Sequence, residues 1–484
     1  PAAPMTALHP PPGTTPAGAT LTLRSAAGTA PIGAAVLGSA LAYMSDDKLT
    51  VARPTVARAL DVGVTEIQWV VNGYFVAMLS LMLIAGSIGD IRGHRRMFLI
   101  GLAVFAGGAT ITAMAPVVPL LVAGRAVQGT GAAFLLASGL ALVNGSFSED
   151  ESGRAVGLYM GFTAVATAAG PVLGGLIVDV LSWRAIFVVP LVFPIAAAIV
   201  TYVGVAESPL RPERQADTTG AGLAFVTILA ATFALIRGPA DWFAPEVMGA
   251  VAVAAIAGAA FFRSQRRGRD PMLPLRLFRS RRFAGGNAVT LLAYLATAGV
   301  FFFVVVQLQT TLGYEPALAG AALMPLYFIM LVGSPQSGRL ADRIGPRLPI
   351  VAGLCLLAAG TWWLSFVADG SSFVTGILPG LVTLAVGLAM ASAPLTSATL
   401  GAVGENDQGI ASGVNNTVGQ TAGLLMIAVL PAVAGLSGQT FDGPEFAAGY
   451  EAALRICAAL SLVAAAIAAV TIGKTQGARP TPAE

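Results

Sequence analysis

The sequence is poor in charge: of its 484 residues, 11% are Asp, Glu, Lys or Arg, while 56% are hydrophobic. A soluble chain carries about 25% charged residues, so these charges are too few to cover the surface of soluble domains. Cysteine is also scarce. Cys355 and Cys457 both lie in apolar runs, which excludes a disulfide-stapled secreted domain. We therefore predict an integral membrane protein of the all-α class.

Histidine and nucleotide-binding patterns are scarce as well. His9 and His94 are the two histidines, and both lie outside the apolar runs, so intramembrane metal chemistry and histidine-based acid–base catalysis lack their usual residues. No loop ends in the Gly-Lys-Ser/Thr pattern that binds ATP phosphates. The first thirty residues lack the basic segment and apolar core of a secretory signal. We expect neither an enzyme nor an ATP-driven pump, and no metal or organic cofactor.

Fourteen apolar runs approach the length of about 20 residues that a helix needs to cross a bilayer. An even number of spans places both termini on one side of the membrane. With the N-terminus in the cytoplasm, 20 of the 27 basic residues fall on the cytoplasmic side, as the positive-inside rule requires. The predicted spans are 31–56, 68–87, 97–115, 119–144, 154–179, 184–206, 220–237, 246–262, 284–310, 317–336, 349–367, 374–401, 408–435 and 449–472.

Two loops between predicted spans share the pattern G-x-x-x-D-x-x-G-x-R, at Gly86–Arg96 and Gly338–Arg347. Glycine permits a tight turn, and an Asp is stabilised near a helix N-terminus. One copy would indicate only a tight basic turn, but two copies at matching places indicate a duplication. We expect both loops to close the cytoplasmic side of the protein. The predicted gating residues are Gly86, Asp90, Gly93, Arg95, Arg96, Gly338, Asp342, Arg343, Gly345 and Arg347.

The duplication divides the chain into two six-helix halves, 31–206 and 284–472. Residues 207–283 hold an inserted pair, predicted helices 7 and 8, and the loop Arg263–Arg282, which contains eight arginines. This loop fits an anchor on the cytoplasmic membrane face, with a patch for nucleic acid or acidic lipid as the alternative. The tails are 1–30, predicted to be disordered, and 473–484. Two halves that rock around a central site are typical of secondary transporters.

These motifs resemble those of the fourteen-helix drug:proton antiporter branch of the major facilitator superfamily, over nearly the whole chain. The two loops are similar to the family signature that follows helix 2 and to its second copy. The segment RAVQGTGAA from Arg125 resembles the helix 4 motif, and Gly161 with GPVLGG from Gly170 resembles the antiporter motif of helix 5. Gln68–Val70 and Gln309–Pro316 resemble the start of helix 2 and the end of helix 9. The resemblance implies a bacterial plasma-membrane exporter that exchanges protons for amphipathic drugs or antibiotics.

Helix 1 departs from the family pattern. The family carries a single Asp nine residues before a Pro, and that position is Ser45 here, followed by two acids. The second half has no acid deep in a predicted span, so any buried proton site must come from helix 1. An alternative interpretation ends helix 1 near residue 44 and places Ser45–Lys48 in a solvated turn. The predicted proton-coupling residues are Asp46, Asp47 and Arg125, with Lys48 and Arg53 as charge partners.

Helix 5 is rich in glycine, which favours a dry, kinked seam between the halves, with plain helix packing as the alternative. We expect a side chain at Gly174 to wedge the halves apart. The seam residues are Gly161, Gly170, Pro171, Gly174 and Gly175. A transport cavity is mostly apolar with a few polar groups. The predicted cavity residues are Trp69, Tyr74, Phe301, Gln309, Met324, Tyr327, Asn415, Asn416 and Gln420.

The leading hypothesis is therefore proton-coupled export of a small amphipathic molecule. An alternative cargo is a lipid, an envelope precursor or a self-made metabolite, because the five charges of helix 1 and Arg125 sum to +1 and favour a cationic cargo only weakly. A transport-inactive membrane sensor would need a long soluble appendage, and the tails are short. We expect a monomer surrounded by membrane lipids, without a nucleic-acid partner.

Overall fold

A computed structural model describes residues 26–147, 169–207, 216–268, 271–404, 408–436 and 443–473, together with residues 151, 155, 158–159, 161–163 and 166–167. The predicted tails lie outside these ranges, except that helix already begins at Ala26 and Gly473 is described. The described residues form helices without a β-strand, as predicted for the all-α class.

Fourteen helical segments are numbered in chain order. Eleven of the described helices are long and apolar enough to cross a membrane, and the bent helix α2 brings this number to twelve. The two remaining segments are α1 and the 11-residue α5. The segments are α1 (Ala26–Leu60), α2 (Val64–Arg92), α3 (His94–Met114), α4 (Val118–Ser146), α5 (Gly170–Val180), α6 (Ala185–Gly204), α7 (Thr218–Arg237), α8 (Pro245–Arg267), α9 (Arg281–Thr310), α10 (Pro316–Ile344), α11 (Arg347–Leu364), α12 (Phe373–Leu400), α13 (Gln408–Val433) and α14 (Gly443–Thr471).

The two copies of the loop motif adopt the same turn. Gly93 ends α2 and Gly345 ends α10, with positive φ angles of 95° and 87° that favour glycine. In each turn the glycine N–H donates to the carbonyl four residues earlier, Gly89 or Ala341, at 2.8 Å. The second glycine of each motif copy, Gly93 or Gly345, is therefore required by the turn. One helix ends at this glycine, and the next helix begins within three residues.

Helix packing repeats between the first six helices and the last six. In the first set α4 packs against α1, α2 and α3, while α1 also packs against α5 and α6. Eight helices later the same pairs recur: α12 packs against α9, α10 and α11, and α9 packs against α13 and α14. The inserted helix α7 packs against α8, α2 and α13, so it lies where the two sets meet.

Among the described residues, four helix pairs join the two sets: α5 with α10, α2 with α13, α1 with α9, and α1 with α10. The end of the molecule that holds Gly93 and Gly345 is called the basic end. The opposite end, where α5 meets the first turns of α10, is called the seam end. Because α1 and α9 run from the basic end to the seam end, residues near their middle lie midway between these two ends.

Candidate functional site

Arg125 is fully buried between α1, α2 and α4. Its Nη1 donates to Ser45 Oγ at 2.7 Å and to Gln128 Oε1 at 3.2 Å, and its Nε donates to the Val70 carbonyl at 3.4 Å. The guanidinium carbon also lies 4.3 Å from the centre of the Tyr74 ring. A buried charge is costly unless polar groups surround it, and here a hydroxyl, an amide, a carbonyl and an aromatic face do so.

The glycines of α4 bring Arg125 into this position. A Cβ at Gly129 would lie 2.1 Å from the Tyr74 carbonyl oxygen of α2, and a Cβ at Gly131 would lie 2.5 Å from the Phe105 nitrogen of α3. Both contacts are with main-chain atoms, so only glycine permits these helix distances. In the RAVQGTGAA motif, the glycines thus let α2 and α3 approach α4 closely, and Arg125 lies buried one helical turn before Gly129.

Helix α1 continues past Lys48 to Leu60, so the alternative that ends it near residue 44 is wrong. Ser45, Lys48 and Arg53 are buried, with 4%, 5% and 2% of their surfaces exposed. The Arg53 guanidinium lies 4.6 Å from the centre of the Phe302 ring on α9, a contact between the two halves. The side chains of Asp46 and Asp47 lie outside the described residues, and their proton-coupling role stays a prediction.

A polar cluster lies between α1, α9 and α13. Tyr43 of α1 interacts with the side chains of Asn416 and Gln420 on α13 and lies near Tyr294 of α9. The Tyr294 side chain is 53% exposed, although its ring is close to Gly419 of α13 and most of α9 is buried. Its exposed half therefore faces the space between the halves. We call Tyr43, Tyr294, Asn416 and Gln420 the central polar cluster.

Sequence reasoning named Asn416 and Gln420 but missed both tyrosines of this cluster. It also missed Tyr159, whose hydroxyl lies 2.7 Å from Ser39 Oγ on α1. The available signal was weak. Tyr43 lies three residues before Asp46, and an isolated phenol in an apolar helix is easily taken for a packing residue.

Other predicted cavity residues lie elsewhere. Trp69 does not face the space between the halves: its ring lies 6.0 Å from Phe233 of α7. Tyr74 is buried beneath Arg125 and donates to the Ala42 carbonyl at 2.7 Å. The prediction that Trp69 and Tyr74 line the cavity is wrong, because the hydrophobic pattern of α2 does not show that α7 covers Trp69 and α4 covers Tyr74.

The cavity residues predicted in the second half divide into three groups. Phe301 stacks with Tyr327 of α10 at 6.2 Å between ring centres, and Met324 is exposed. Asn415 is buried within the half and donates to Asn287 and Thr290 of α9, both at 3.1 Å. The remaining residue, Gln309, donates to the Val51 carbonyl of α1 at 2.8 Å and so joins the two halves.

Helix α5 meets α10 through main-chain contacts at the seam end. A Cβ at Gly175 would lie 2.4 Å from the Pro316 carbonyl oxygen, and a Cβ at Gly320 would lie 2.4 Å from the Pro171 carbonyl oxygen. The Asp179 carboxylate accepts a hydrogen bond from the Ala317 N–H at 2.8 Å. This pair of reciprocal glycines forms a close contact between the halves.

Gly174 does not face the other half, contrary to prediction. A Cβ there would lie 2.8 Å from Lys48 Cα of α1, within the same half. One residue along a helix turns the side-chain direction by about 100°, which separates the roles of Gly174 and Gly175. Gly170 and Pro171 are buried, whereas Gly161 has no atom within 4 Å of a Cβ position among the described residues.

Two further hydrogen bonds close the seam end. Gln68 at the start of α2 donates to the Ile427 carbonyl of α13 at 2.6 Å. The Gln309 bond to Val51 joins α9 to α1 at a similar depth. The motif residues Gln68 and Gln309 therefore lie in contacts between the two halves, and α1 also touches the first turns of α10 at this end.

The glycines that begin the two loop motifs make no such contacts at the basic end. Among the described residues, a Cβ at Gly86 or at Gly338 would meet no atom within 4 Å. Asp90 bonds to His94 of α3 at 3.2 Å, while Asp342 and Arg343 are exposed and Arg347 is half-buried. The predicted gating roles of these residues stay predictions.

Glu207, which sequence reasoning missed, fastens the first loop to the end of α6. Its carboxylate oxygens accept hydrogen bonds from the backbone N–H groups of Arg95 and Arg96, at 2.9 and 3.2 Å. In return, the Arg95 guanidinium donates to the Thr201 and Tyr202 carbonyls at 3.3 and 2.7 Å. A carboxylate at a helix N-terminus is stabilising, so this arrangement caps both α3 and α6.

We predict that Gly93→Ala lowers stability by about 1–3 kcal/mol, because its φ of 95° is strained for alanine and its Cβ would meet the Glu207 carboxylate at 2.5 Å. Glu207→Ala removes only the cap and is expected to cost about 1 kcal/mol. Thermal unfolding of the detergent-purified protein measures both. Gly338→Ala, with open space around its Cβ, is the control; a loss equal to that of Gly93→Ala would contradict this account.

Comparison with known proteins identifies the family. The family model described as Major Facilitator Superfamily matches residues 35–428. A crystal structure of a peptide transporter in complex with sulfate shares the fold, with a TM-score of 0.66 at 15% identity over 90% of this chain and 92% of the other. The chain is therefore a multi-pass membrane protein of a transporter family, not an enzyme family.

Named relatives are similar over most of their length. The cephamycin export protein of Amycolatopsis lactamdurans is 34% identical over 90% of both chains. The multidrug resistance protein Stp of Mycobacterium tuberculosis is 33% identical over 81% of this chain and 73% of its own. The tetracenomycin C resistance and export protein of Streptomyces glaucescens is 31% identical over 82% and 74%. The resemblance drawn from the loop and helix motifs is confirmed: the chain belongs to the Major Facilitator Superfamily, among relatives named for drug resistance and antibiotic export.

Proposed function

We propose that the protein exports a small amphipathic drug or antibiotic in exchange for protons. The observation that carries this proposal is the buried Arg125, which bonds to Ser45 immediately before two consecutive acids on α1. Ser45 occupies the place of the acid in the family pattern. A proton site one or two residues farther along would retain the pairing of an acid with the same arginine.

The proposed mechanism is alternating access. The seam end is closed by the α5–α10 contact and by Gln68 and Gln309. At the basic end, no atom of the described residues lies within 4 Å of a Cβ placed at the first glycine of either loop motif. We assign the basic end to the cytoplasm, because basic residues concentrate there. Cargo would then enter from the cytoplasm in the arrangement described here, and opening of the seam would release it outside. Both termini lie in the cytoplasm, and the transporter works as a monomer.

In the coupling step a proton and the Arg125 guanidinium compete for the carboxylate of Asp46 or Asp47. A proton arriving from outside neutralises the carboxylate and weakens its attraction to Arg125. Release of that proton to the cytoplasm restores the charge and the attraction. Because the Arg125 guanidinium already has neutral partners in Ser45 and Gln128, it stays solvated by protein dipoles when the carboxylate is protonated.

The central polar cluster supports an uncharged or weakly charged cargo. Its two phenols and two amides offer hydrogen-bond donors and acceptors without a formal charge. Tyrosine rings also present flat apolar surface. A cargo with an aromatic body and carbonyl or hydroxyl substituents would match both properties. The names of the relatives, which include resistance to tetracenomycin C and export of cephamycin, agree with antibiotic cargo.

The test is proton release from proteoliposomes that contain a pH-sensitive dye, with tetracycline, chloramphenicol and ethidium as probes. We predict that native protein couples entry of at least one probe to proton movement, and that the double variant Asp46→Asn/Asp47→Asn reduces the coupled flux to that of protein-free liposomes. Asp369→Asn, in an exposed loop at the seam end, is the matched control. Full coupled flux in the double variant would refute the proton-site assignment; probe movement without proton movement would refute antiport.

A further inference from the structure

A groove lies at the seam end between α2, α4 and the inserted helix α7, away from the central polar cluster. Its volume is about 350 Å³, within the range of small-molecule sites. The walls are mostly apolar and come from Trp69 of α2 and from Val118, Pro119 and Val122 of α4. The Trp69 ring is held in place by Phe233 of α7.

Two opposite charges line the same groove. Glu66 belongs to the first turn of α2, and Arg237 belongs to the last turn of α7. No salt bridge joins these two described side chains to each other. One Glu66 oxygen accepts the Gly63 N–H at 3.1 Å, which leaves the carboxylate capacity for further donors. The nearby Asp241 carboxylate accepts the Phe243 N–H at 2.9 Å.

The surroundings place the groove at a membrane interface. Trp242 and Phe243, in the loop that follows Arg237, are 50% and 84% exposed. Aromatic side chains concentrate at the level of lipid headgroups. Val117, in the turn before α4, is also exposed. The apolar walls of a groove beside such residues suit acyl chains, and its two charges suit a lipid headgroup.

We propose that this groove binds a zwitterionic phospholipid whose headgroup carries a primary ammonium, of the phosphatidylethanolamine class. The ammonium would donate to Glu66, and the phosphate would accept from Arg237. A primary ammonium can donate hydrogen bonds to a carboxylate, whereas a trimethylammonium group cannot and is instead bound by aromatic cages. The single wall tryptophan is already paired with Phe233, so an ethanolamine headgroup is the better match.

This site connects the inserted helix to the transport core. Helix α7 contacts both α2 and α13, the pair whose Gln68–Ile427 bond closes the seam end. A lipid between α2, α4 and α7 therefore stabilises the position of α7 against the first half. Its binding does not depend on the identity of the cargo or on proton coupling.

The experiment measures binding of short-chain phosphatidylethanolamine, phosphatidylcholine and phosphatidylglycerol to the detergent-purified full chain, by native mass spectrometry and by the shift of the thermal midpoint. We expect phosphatidylethanolamine to bind most tightly. Glu66→Gln keeps an oxygen for the Gly63 N–H but removes the charge, and Arg237→Gln removes the other charge. Each should weaken this binding by at least about tenfold, the effect of losing one charge-assisted hydrogen bond.

Glu246→Gln is the matched control, since Glu246 is an exposed carboxylate at the start of α8, on the same end but outside the groove. It should leave lipid binding unchanged. Equal binding of phosphatidylethanolamine and phosphatidylglycerol, or undiminished binding in Glu66→Gln, would overturn the proposal. Tight binding of phosphatidylcholine would also overturn it, because that lipid lacks the donor for Glu66. Each result is independent of the transport assay.

Discussion

Replacing Gly175 by alanine is expected to open the contact between α5 and α10 and to shift the protein away from the arrangement with a closed seam end. The new Cβ would lie 2.4 Å from the Pro316 carbonyl oxygen and 2.5 Å from Ala317 Cα. Both are main-chain atoms, so no rotamer change relieves the overlap. Overpacking costs about 1–3 kcal/mol, and 1.4 kcal/mol changes an equilibrium constant tenfold, so the constant that favours the closed arrangement should fall by about 5- to 150-fold.

Distances between spin labels measure this shift. A cysteine-free background requires replacement of Cys355 and Cys457, both of which are free. Leu181→Cys and Asp369→Cys then place labels on exposed residues of the two halves at the seam end. In Gly175→Ala the distance distribution of this pair should move to longer values, while the protein stays folded.

Three other glycine variants sharpen the assignment. Gly320→Ala should reproduce the shift, because its Cβ would lie 2.4 Å from the Pro171 carbonyl oxygen across the same contact. Gly174→Ala should lower stability without lengthening the distance, because it presses on α1 of its own half. Gly161→Ala should change neither quantity. An unchanged distance distribution in both Gly175→Ala and Gly320→Ala would reduce this contact to ordinary packing.

The contrast between Gly174 and Gly175 shows what sequence alone could predict. Apolar length predicted most of the described helices, and their observed bounds differ from the predicted spans by only a few residues at most ends. The first part of the predicted span 154–179 lies largely outside the described residues. The glycine-rich motif of helix 5 predicted that the helix makes a close contact. It could not say which glycine faces which helix, because neighbouring residues point about 100° apart and the rotation of a helix depends on its neighbours.

Helix α1 shows a second limit of prediction. Its buried charges made an early helix end plausible, since a charge in a membrane needs a partner. Several of the partners come from distant parts of the chain: the Phe302 ring lies over Arg53, and the Arg125 guanidinium donates to Ser45 and lies over the Tyr74 ring. Neutral and aromatic groups of this kind carry no charge pattern, so they are not visible as partners in the sequence.

The inserted helices explain the misplacement of Trp69. In a plain six-helix half this face of α2 would be open, and an aromatic residue there would fit a cavity wall. Helix α7 covers it and pairs Phe233 with Trp69. The residues that do line the space between the halves, Tyr43 and Tyr294, come from the middle of long apolar helices, where periodicity does not separate a cavity face from a packed one.

Arg125→Lys is expected to abolish proton-driven transport while the protein remains folded. Lysine keeps the positive charge, but its ammonium is compact and cannot reach Ser45, Gln128 and the Val70 carbonyl in the planar arrangement of a guanidinium. The charge should then move towards its nearest acceptor and no longer respond to the state of Asp46 or Asp47. The proteoliposome assay with the pH-sensitive dye measures the loss.

A double-mutant cycle separates this role from simple stability. Arg125→Gln and Ser45→Ala each remove one side of a charged hydrogen bond of 2.7 Å, which is worth about 1.5–3 kcal/mol when buried. The coupling energy from thermal unfolding of the single and double variants should fall in that range. Arg455→Gln is the control, because Arg455 is half-exposed and pairs with Glu451 on the surface of α14, where such pairs contribute about 0–1 kcal/mol. Coupled transport at the native rate in Arg125→Lys, together with a coupling energy near zero, would show that Arg125 is neither anchored by Ser45 nor required in its guanidinium form.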